Sequence, residues 1–108
     1  MTKITFFRRL DGLLCGFKIC GHAGFAGYGK DIVCAAVSSA VYLVVNTVID
    51  VMRVKPQDLF FSDDSVVFLL SDSDANVYSF LLRGLFMHFV AISKEYPKNL
   101  LIDSAQIA

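Results

Sequence analysis

The stretch Ile4-Thr5-Phe6-Phe7-Arg8-Arg9-Leu10-Asp11-Gly12-Leu13-Leu14-Cys15-Gly16-Phe17-Lys18-Ile19 decides the fold. Asp-Gly between two apolar runs signals a hairpin, because a two-residue type I′ turn needs positive φ at both central positions. Such a turn at Asp11-Gly12 sets Leu10 opposite Leu13, Arg8 opposite Cys15, Phe6 opposite Phe17 and Ile4 opposite Ile19. Seven of these eight side chains are apolar. The strand period of two puts them all on one face of the sheet, so the turn and the hydrophobic pattern agree on the register. Arg8 is the one misfit. Residues 3–20 are therefore expected to form a hairpin with one face in a core. Cys15 and Cys20 differ in parity and cannot bridge in a regular strand. Cys15 reads as a small core residue, and Cys20 leaves on the other face, two residues before His22.

Beyond the hairpin, a glycine-rich loop leads to a helix expected over 32–53. Asp31 is placed to cap it by accepting the backbone N–H of Val33 or Cys34. The helix is rich in valine, so burial rather than local propensity must hold it, and Lys55-Pro56 ends it. Residues 58–62 and 66–71 read as a second hairpin turning at Asp63-Asp64, with Val66-Val67-Phe68-Leu69-Leu70, which lacks polar alternation, read as a central strand. A second helix is expected over 74–94, with Asn76, Ser79, Arg83 and Lys94 on its polar side and Leu81, Leu85 and Ile92 facing the core. Tyr96-Pro97 stops it, and residues 100–107 can form a last strand. The order β-β-α-β-β-α, with a final β, implies an α/β (α+β) two-layer sandwich: a largely antiparallel sheet with two helices.

The composition limits the classes of function. The chain has 108 residues, 56% of them hydrophobic, enough for one core and one domain over 1–108. Ten basic residues balance ten acidic ones, which argues against a direct nucleic-acid partner or a polybasic membrane anchor. Residues 1–10 lack the apolar run of a secretory signal, and three cysteines cannot all pair within the chain. Free thiols in a reducing cytoplasm are the expectation. Residues 32–49 carry no charge over 18 positions, close to a membrane span in length. Ser38, Ser39, Tyr42, Asn46 and Asp50 nevertheless recur every three to four residues. That makes a polar stripe, the mark of a helix buried on most of its circumference rather than one facing lipid. No membrane partner is expected.

The chemistry is concentrated in 21–38. His22 opens a loop that holds Gly21, Gly24, Gly27 and Gly29, and Cys34 follows at the helix start. With Asp31 as cap, Cys34 stands where free N–H groups and the helix dipole favour a thiolate. The Asp31 carboxylate opposes this, and an imidazolium at His22 would offset it. A Cys–His pair is the usual route to a nucleophilic thiolate near neutral pH. Ser38, four residues on, shares the Cys34 face of the helix. Alone, Cys34 reads more readily as an inert core thiol than as a nucleophile. Four glycines within nine residues lose much entropy on ordering, however, so a moving loop or a close ligand explains them better than stability does.

The same residues admit other readings. Gly24-Phe25-Ala26-Gly27-Tyr28-Gly29-Lys30-Asp31 nearly matches a phosphate-binding loop, but Asp31 stands where a hydroxyl should hold magnesium. Cys20, His22, Cys34 and Asp31 are zinc-ligand types without paired ligand spacing, which leaves a zinc-holding module without enzymatic activity as a rival function. His88 falls on the apolar side of the second helix, as a core or subunit-interface residue.

The run Gly21-His22-Ala23-Gly24-Phe25-Ala26, with Gly29-Lys30-Asp31-Ile32-Val33-Cys34-Ala35-Ala36-Val37-Ser38, closely resembles the signature of the bacterial ribosomal-processing cysteine protease family, Prp. Chain length, the opening hairpin, both helices and the Tyr96-Pro97-Lys98 ending resemble that family too. The resemblance implies a cysteine endopeptidase without cofactor or metal. It would remove a short N-terminal extension from large-subunit ribosomal protein twenty-seven by cutting after a Phe-Phe pair. It implies Cys34 as nucleophile and His22 as base and proton donor. Asp31 and Ser38 would support them, and the loop glycines Gly21, Gly24, Gly27 and Gly29 would gate the substrate. It also implies a homodimer, with a non-enzymatic ribosome-assembly module as the alternative to the peptidase. Phe25 stands where tyrosine is commoner, and Cys20 lies outside the signature.

Overall fold

The computed structural model describes residues 1–21, 28–62 and 64–107, with the backbone alone at 28–31. The elements follow the expected order: β1 (Thr2–Arg8), β2 (Leu14–Cys20), α1 (Tyr28–Asn46), β3 (Asp58–Phe61), β4 (Ser65–Leu69), α2 (Asp72–Glu95) and β5 (Leu100–Gln106). The five strands form one sheet in the order β3-β4-β2-β1-β5. Three of its pairings are antiparallel, and β5 lies parallel to β1. The helices cover one face, which makes a two-layer α+β sandwich. The Asp63 half of the expected second turn lies outside the described residues.

The opening hairpin keeps its expected register at Ile4↔Ile19 and Phe6↔Phe17 but departs from it nearer the turn. Arg8 pairs with Leu14 rather than Cys15, and the register shifts between Phe7 and Arg8. The cause is the turn. Arg9 donates its N–H to the Leu13 carbonyl at 2.9 Å, Gly12 donates to the Arg9 carbonyl at 2.9 Å, and Gly12 has φ of +90°. The loop therefore has three residues and ends in a left-handed glycine, instead of the two-residue turn read from Asp-Gly. Cys15 absorbs the offset as a bulge, and Leu14 and Cys15 are buried in succession. The misfit at Arg8 disappears with it. Its guanidinium lies 5.8 Å from the centre of the Phe86 ring and donates to the Gly12 carbonyl at 3.3 Å.

The core is aromatic where α2 crosses β1 and β2. Phe6 lies 5.9 Å from Phe17, 6.2 Å from Phe89 and 5.2 Å, edge-on, from Phe86, and Phe17 stacks on Phe68 at 5.5 Å. Phe6, Phe17, Phe68 and Phe89 are fully buried. Tilted and edge-on pairs add about 0.5–1.5 kcal/mol each beyond area burial. Ser71 caps α2 by accepting the Asp74 N–H at 3.2 Å, so this helix begins two residues before the expected 74. Ser79, expected on the polar side, is buried. It falls four residues after Ala75 and three before Leu82 on the stripe that meets the core. Leu85 is buried as expected, while Leu81 and Ile92 pack at the core margin.

α1 buries Val33, Val37, Val41, Val44, Val45 and, beyond its last residue, Val48. By length and composition alone, 32–51 and α2 are each apolar enough to cross a membrane. In this fold the valine stripe of α1 packs into the common core. Two boundaries differ from the expected 32–53. The helix begins at Tyr28, because extending a helix already anchored by its valines needs no new nucleus. Asp31 is then inside the first turn rather than capping it. At the other end, a π-helical turn spans Thr47–Val51, with Met52 donating to the Thr47 carbonyl at 2.8 Å. Arg53, at φ of +59°, then ends the run before Pro56 is reached, and Val54 donates to the Val48 carbonyl at 2.9 Å.

Candidate active site

Cys34 is half-buried in the second turn of α1, immediately after the buried Val33. Open backbone N–H groups belong to the first turn of a helix. In the continuous helix from Tyr28, the Cys34 N–H is committed to the carbonyl four residues back. The free N–H groups of the helix start, expected beside Cys34, therefore belong a turn earlier in the chain. Ser38 sits one turn after Cys34 on the same face and is also half-buried.

His22, Gly24 and Gly27 lie outside the described residues. So do the side chain of Asp31 and any contact between His22 and Cys34. The zinc reading, which needs His22 and Asp31, falls outside them too. Among the described residues, no group of three His, Cys, Asp or Glu side chains could hold a metal.

The point at which the chain departs toward His22 is well defined. Gly21 has φ of +72° and donates its N–H to the Asp64 carbonyl at 3.1 Å. A Cβ there would stand 2.7 Å from the Met1 carbonyl oxygen, so only glycine fits both the left-handed backbone and the space. The loop glycine nearest β2 thus pins the exit of β2 to the turn between β3 and β4. That turn is itself knitted by Ser62, whose hydroxyl lies 3.1 Å from an Asp64 carboxylate oxygen and 3.0 Å from the Ser65 hydroxyl.

Beside this exit, a cavity of about 290 Å³ opens between α1 and the β3 side of the sheet. Val37 and Val41 line it from the helix, and Ile19 and Val66 from β2 and β4. Its polar groups are Ser38 and Ser62, and Tyr42 and Phe61 stack across it with ring centres 6.0 Å apart and planes 8° apart. An apolar cleft with a few hydroxyls, one helical turn from a thiol, suits an extended peptide bearing a large apolar side chain. Tyr42 and Phe61 were not among the expected site residues. Tyr42 stands four residues after Ser38 in the stripe read only as solvent-facing, and the two share the cavity side of α1.

The other chemical groups are placed differently. Burial raises the Cys15 thiol above its ordinary pKa of 9.0, and its Sγ lies 3.5 Å from the Phe7 carbonyl. It is the inert core thiol that the hairpin pattern indicates. Cys20 is half-buried. His88 is exposed rather than in the core, and lines a groove between α1 and α2 with Leu43, Leu81 and Leu85.

A family model described as cysteine protease Prp matches residues 1–101. The chain belongs to the Prp family of cysteine proteases. It is 31% identical over 110 residues to the ribosomal processing cysteine protease Prp of Bacillus subtilis strain 168, covering 96% of this chain and 97% of that protein. The Prp fold is shared with the essential ribosomal processing protease of S. aureus solved with a substrate peptide. That match has a TM-score of 0.86 at 22% identity and covers 97% of this chain and 100% of the other. The same S. aureus protease with a covalently linked product peptide superimposes with a TM-score of 0.82 at 23% identity, over the same shares. The five-stranded, mostly antiparallel sheet with two helices is therefore the Prp architecture.

Proposed function

We propose that this Prp-family chain acts as a single protease domain over residues 1–108. In this reading it removes the short N-terminal extension of large-subunit ribosomal protein twenty-seven, cutting after Phe-Phe. The observation that carries the reading is the cavity walled by Tyr42, Phe61, Val37 and Val66, one turn of α1 from Cys34. Its apolar walls suit a phenyl ring, and its position beside the thiol suits the residue next to the scissile bond.

The chemistry follows from the two residues in the signature. His22 removes the Cys34 proton, and the thiolate attacks the scissile carbonyl. The tetrahedral intermediate collapses to a thioester as His22 protonates the departing amine. His22 then takes a proton from water, which attacks the thioester, releases the new carboxylate and restores the thiol. Asp31 and Ser38 support the pair. Gly21, Gly24, Gly27 and Gly29 let the loop admit a peptide and close over it. The reaction needs no cofactor or metal.

A ribosomal substrate and the thiols of Cys15, Cys20 and Cys34 suit a cytoplasmic enzyme. A homodimer fits the outer helix layer, where Leu43, Phe80 and Met87 are each at least 65% exposed, since apolar area of this kind marks interaction surfaces.

The test is cleavage of a synthetic peptide carrying the extension, followed by mass spectrometry. The parent protein should cut once, after the second phenylalanine. Cys34→Ala and His22→Ala should give no product while keeping the parent circular dichroism. Undiminished cleavage by purified Cys34→Ala would overturn the assignment. Stoichiometric zinc in the purified parent, with no cleavage, would favour the metal-holding alternative.

A further inference from the structure

β3 is an edge strand unlike those proteins normally leave open. Exposed edges are usually short, charged, interrupted by proline, or covered, because an open ladder of N–H and C=O groups recruits another chain. β3 is short, yet it reads Asp-Leu-Phe-Phe with all four residues exposed. Leu59, Phe60 and Phe61 are 38%, 52% and 42% accessible. No described strand pairs with its outer side.

The hydrogen-bond phase of that edge can be read from its ends. Ser62 donates its N–H to the Ser65 carbonyl at 2.9 Å, and β3 pairs with β4 as Phe60↔Val67 and Asp58↔Leu69. In an antiparallel ladder, residues two apart face the same neighbour. Phe60 and Asp58 therefore bond toward β4, and Leu59 and Phe61 turn their N–H and C=O groups to the open side. Phe61 is also the residue whose ring stacks on Tyr42 across the cavity. The open ladder thus runs into the cleft whose wall at Ser38 is one helical turn from Cys34.

We infer that β3 is the docking edge for the substrate backbone. An extended peptide adds as a sixth strand against Leu59 and Phe61, with alternate side chains directed to the cavity. This inference rests on the peptidase reading of the site and adds to it how the main chain is held. Strand addition of this kind draws affinity from main-chain hydrogen bonds and specificity from pockets for alternate side chains. The occupant is a peptide rather than a second copy of β3, because the strand is continuous with the cavity wall at Phe61 and Ser62. The opposite edge, β5, carries Asp103, Ser104 and Gln106 and has no such neighbour.

Proline provides the test, since an edge strand tolerates it where its N–H faces outward. Leu59→Pro deletes an outward donor, whereas Leu59→Ala removes the side chain and keeps the donor. Binding is read by fluorescence polarisation of the labelled extension peptide on the Cys34→Ala protein, so the result does not depend on turnover. Leu59→Pro should weaken binding roughly tenfold, the scale of one net hydrogen bond, and Leu59→Ala should stay within about twofold. Singly N-methylated peptides, tested on protein with Leu59 intact, should lose affinity at every second position. Equal binding by Leu59→Pro and Leu59→Ala would overturn the proposal, as would an N-methylation profile without alternation. Self-association lost in Leu59→Pro alone, with peptide affinity unchanged, would reassign the edge to a second copy. If the alternating binding pattern appears but the parent never cuts the peptide, the docking edge stands and the protease reading falls.

Discussion

The half of the sheet under α2 and the half beside α1 are built to different rules. Under α2 the apolar side chains are spent on one another. Phe6, Phe17 and Phe89 are fully buried, with Phe86 edge-on to Phe6. The helix start is capped by Ser71, and the β5 edge is polar, tied to β1 by Lys3 and Asp103 at 3.4 Å. Beside α1, aromatic side chains remain in water. Phe60, Phe61 and Tyr42 are each more than 40% exposed, and a cavity stands where packing would otherwise continue. Large apolar groups left exposed together forgo burial worth roughly 1.5–3 kcal/mol per side chain. Stability alone would not leave them so. The division sets residues that hold the fold apart from residues proposed to meet the peptide, and mutations should respect it.

The largest separation is expected at Cys34. Cys34→Ala should lower peptide cleavage by roughly 10³-fold or more, the scale on which nucleophile removal acts. Its urea midpoint should stay close to the parent's, because a half-buried side chain contributes little packing. A variant that loses activity only because it unfolds would break the comparison.

The converse is expected at Phe6. Phe6→Ala should cost about 3–5 kcal/mol by urea denaturation, as a buried phenylalanine amid other rings leaves a cavity its neighbours cannot fill. That is a large share of the roughly 5–15 kcal/mol total for a domain, so the variant should be partly unfolded at 37 °C. A loss below about 1 kcal/mol would mean that the aromatic cluster is not the main support of this half.

Phe61→Ala sharpens the contrast on the other side. Its ring covers little core, so stability should change by less than about 1 kcal/mol. The kcat/KM for the extension peptide should nonetheless fall about tenfold, mainly through KM, as ground-state contacts are lost. An unchanged KM would detach the cavity from the substrate.

Much of the α2 half was legible without coordinates, because its signals are local. The pairs Ile4↔Ile19 and Phe6↔Phe17 follow from alternation around a turn. Ser71 announces a cap, and the order of the elements follows from their periods. The bulge at Cys15 was not legible, since a three-residue loop and a two-residue loop place the same Asp-Gly differently, and only hydrogen bonding at Arg9 and Gly12 distinguishes them. The parallel partnership of β5 with β1 is a contact between chain ends that no local pattern encodes. In the α1 half, the motif 21–38 marked the thiol and the imidazole. The cavity could not be read because Tyr42 and Phe61 meet across elements far apart in the chain. One trace existed: Phe60-Phe61 in a strand with no polar alternation sits oddly at an edge.

Ser71→Ala tests the closed half at lower amplitude. Losing the acceptor for the Asp74 N–H should cost about 1 kcal/mol, read as a lower melting temperature with unchanged KM. An effect on KM would mean that α2 is coupled to the site.

The smallest effect belongs to the hairpin turn and depends on pH. The Leu13 N–H, and then Arg9, hold the Asp11 carboxyl below its ordinary value of 3.8. Both partners are present in the structure: Leu13 donates at 3.1 Å and Arg9 at 2.6 Å. A carboxyl whose folded pKa is depressed binds fewer protons folded than unfolded, so its contribution is complete above the ordinary carboxylate pKa and fades as pH falls through the folded one. Asp11→Asn removes the charge and keeps an acceptor oxygen. At about pH 6 the parent should melt slightly above Asp11→Asn, and the gap should narrow as pH falls below the ordinary carboxylate value and through the folded one. The group is at the surface, where solvent screens it, so the gap should be small even at its widest. A constant gap across that range would assign the stabilisation to the shape of the turn rather than to its charge. The misread loop would then owe its three-residue form to Gly12 alone.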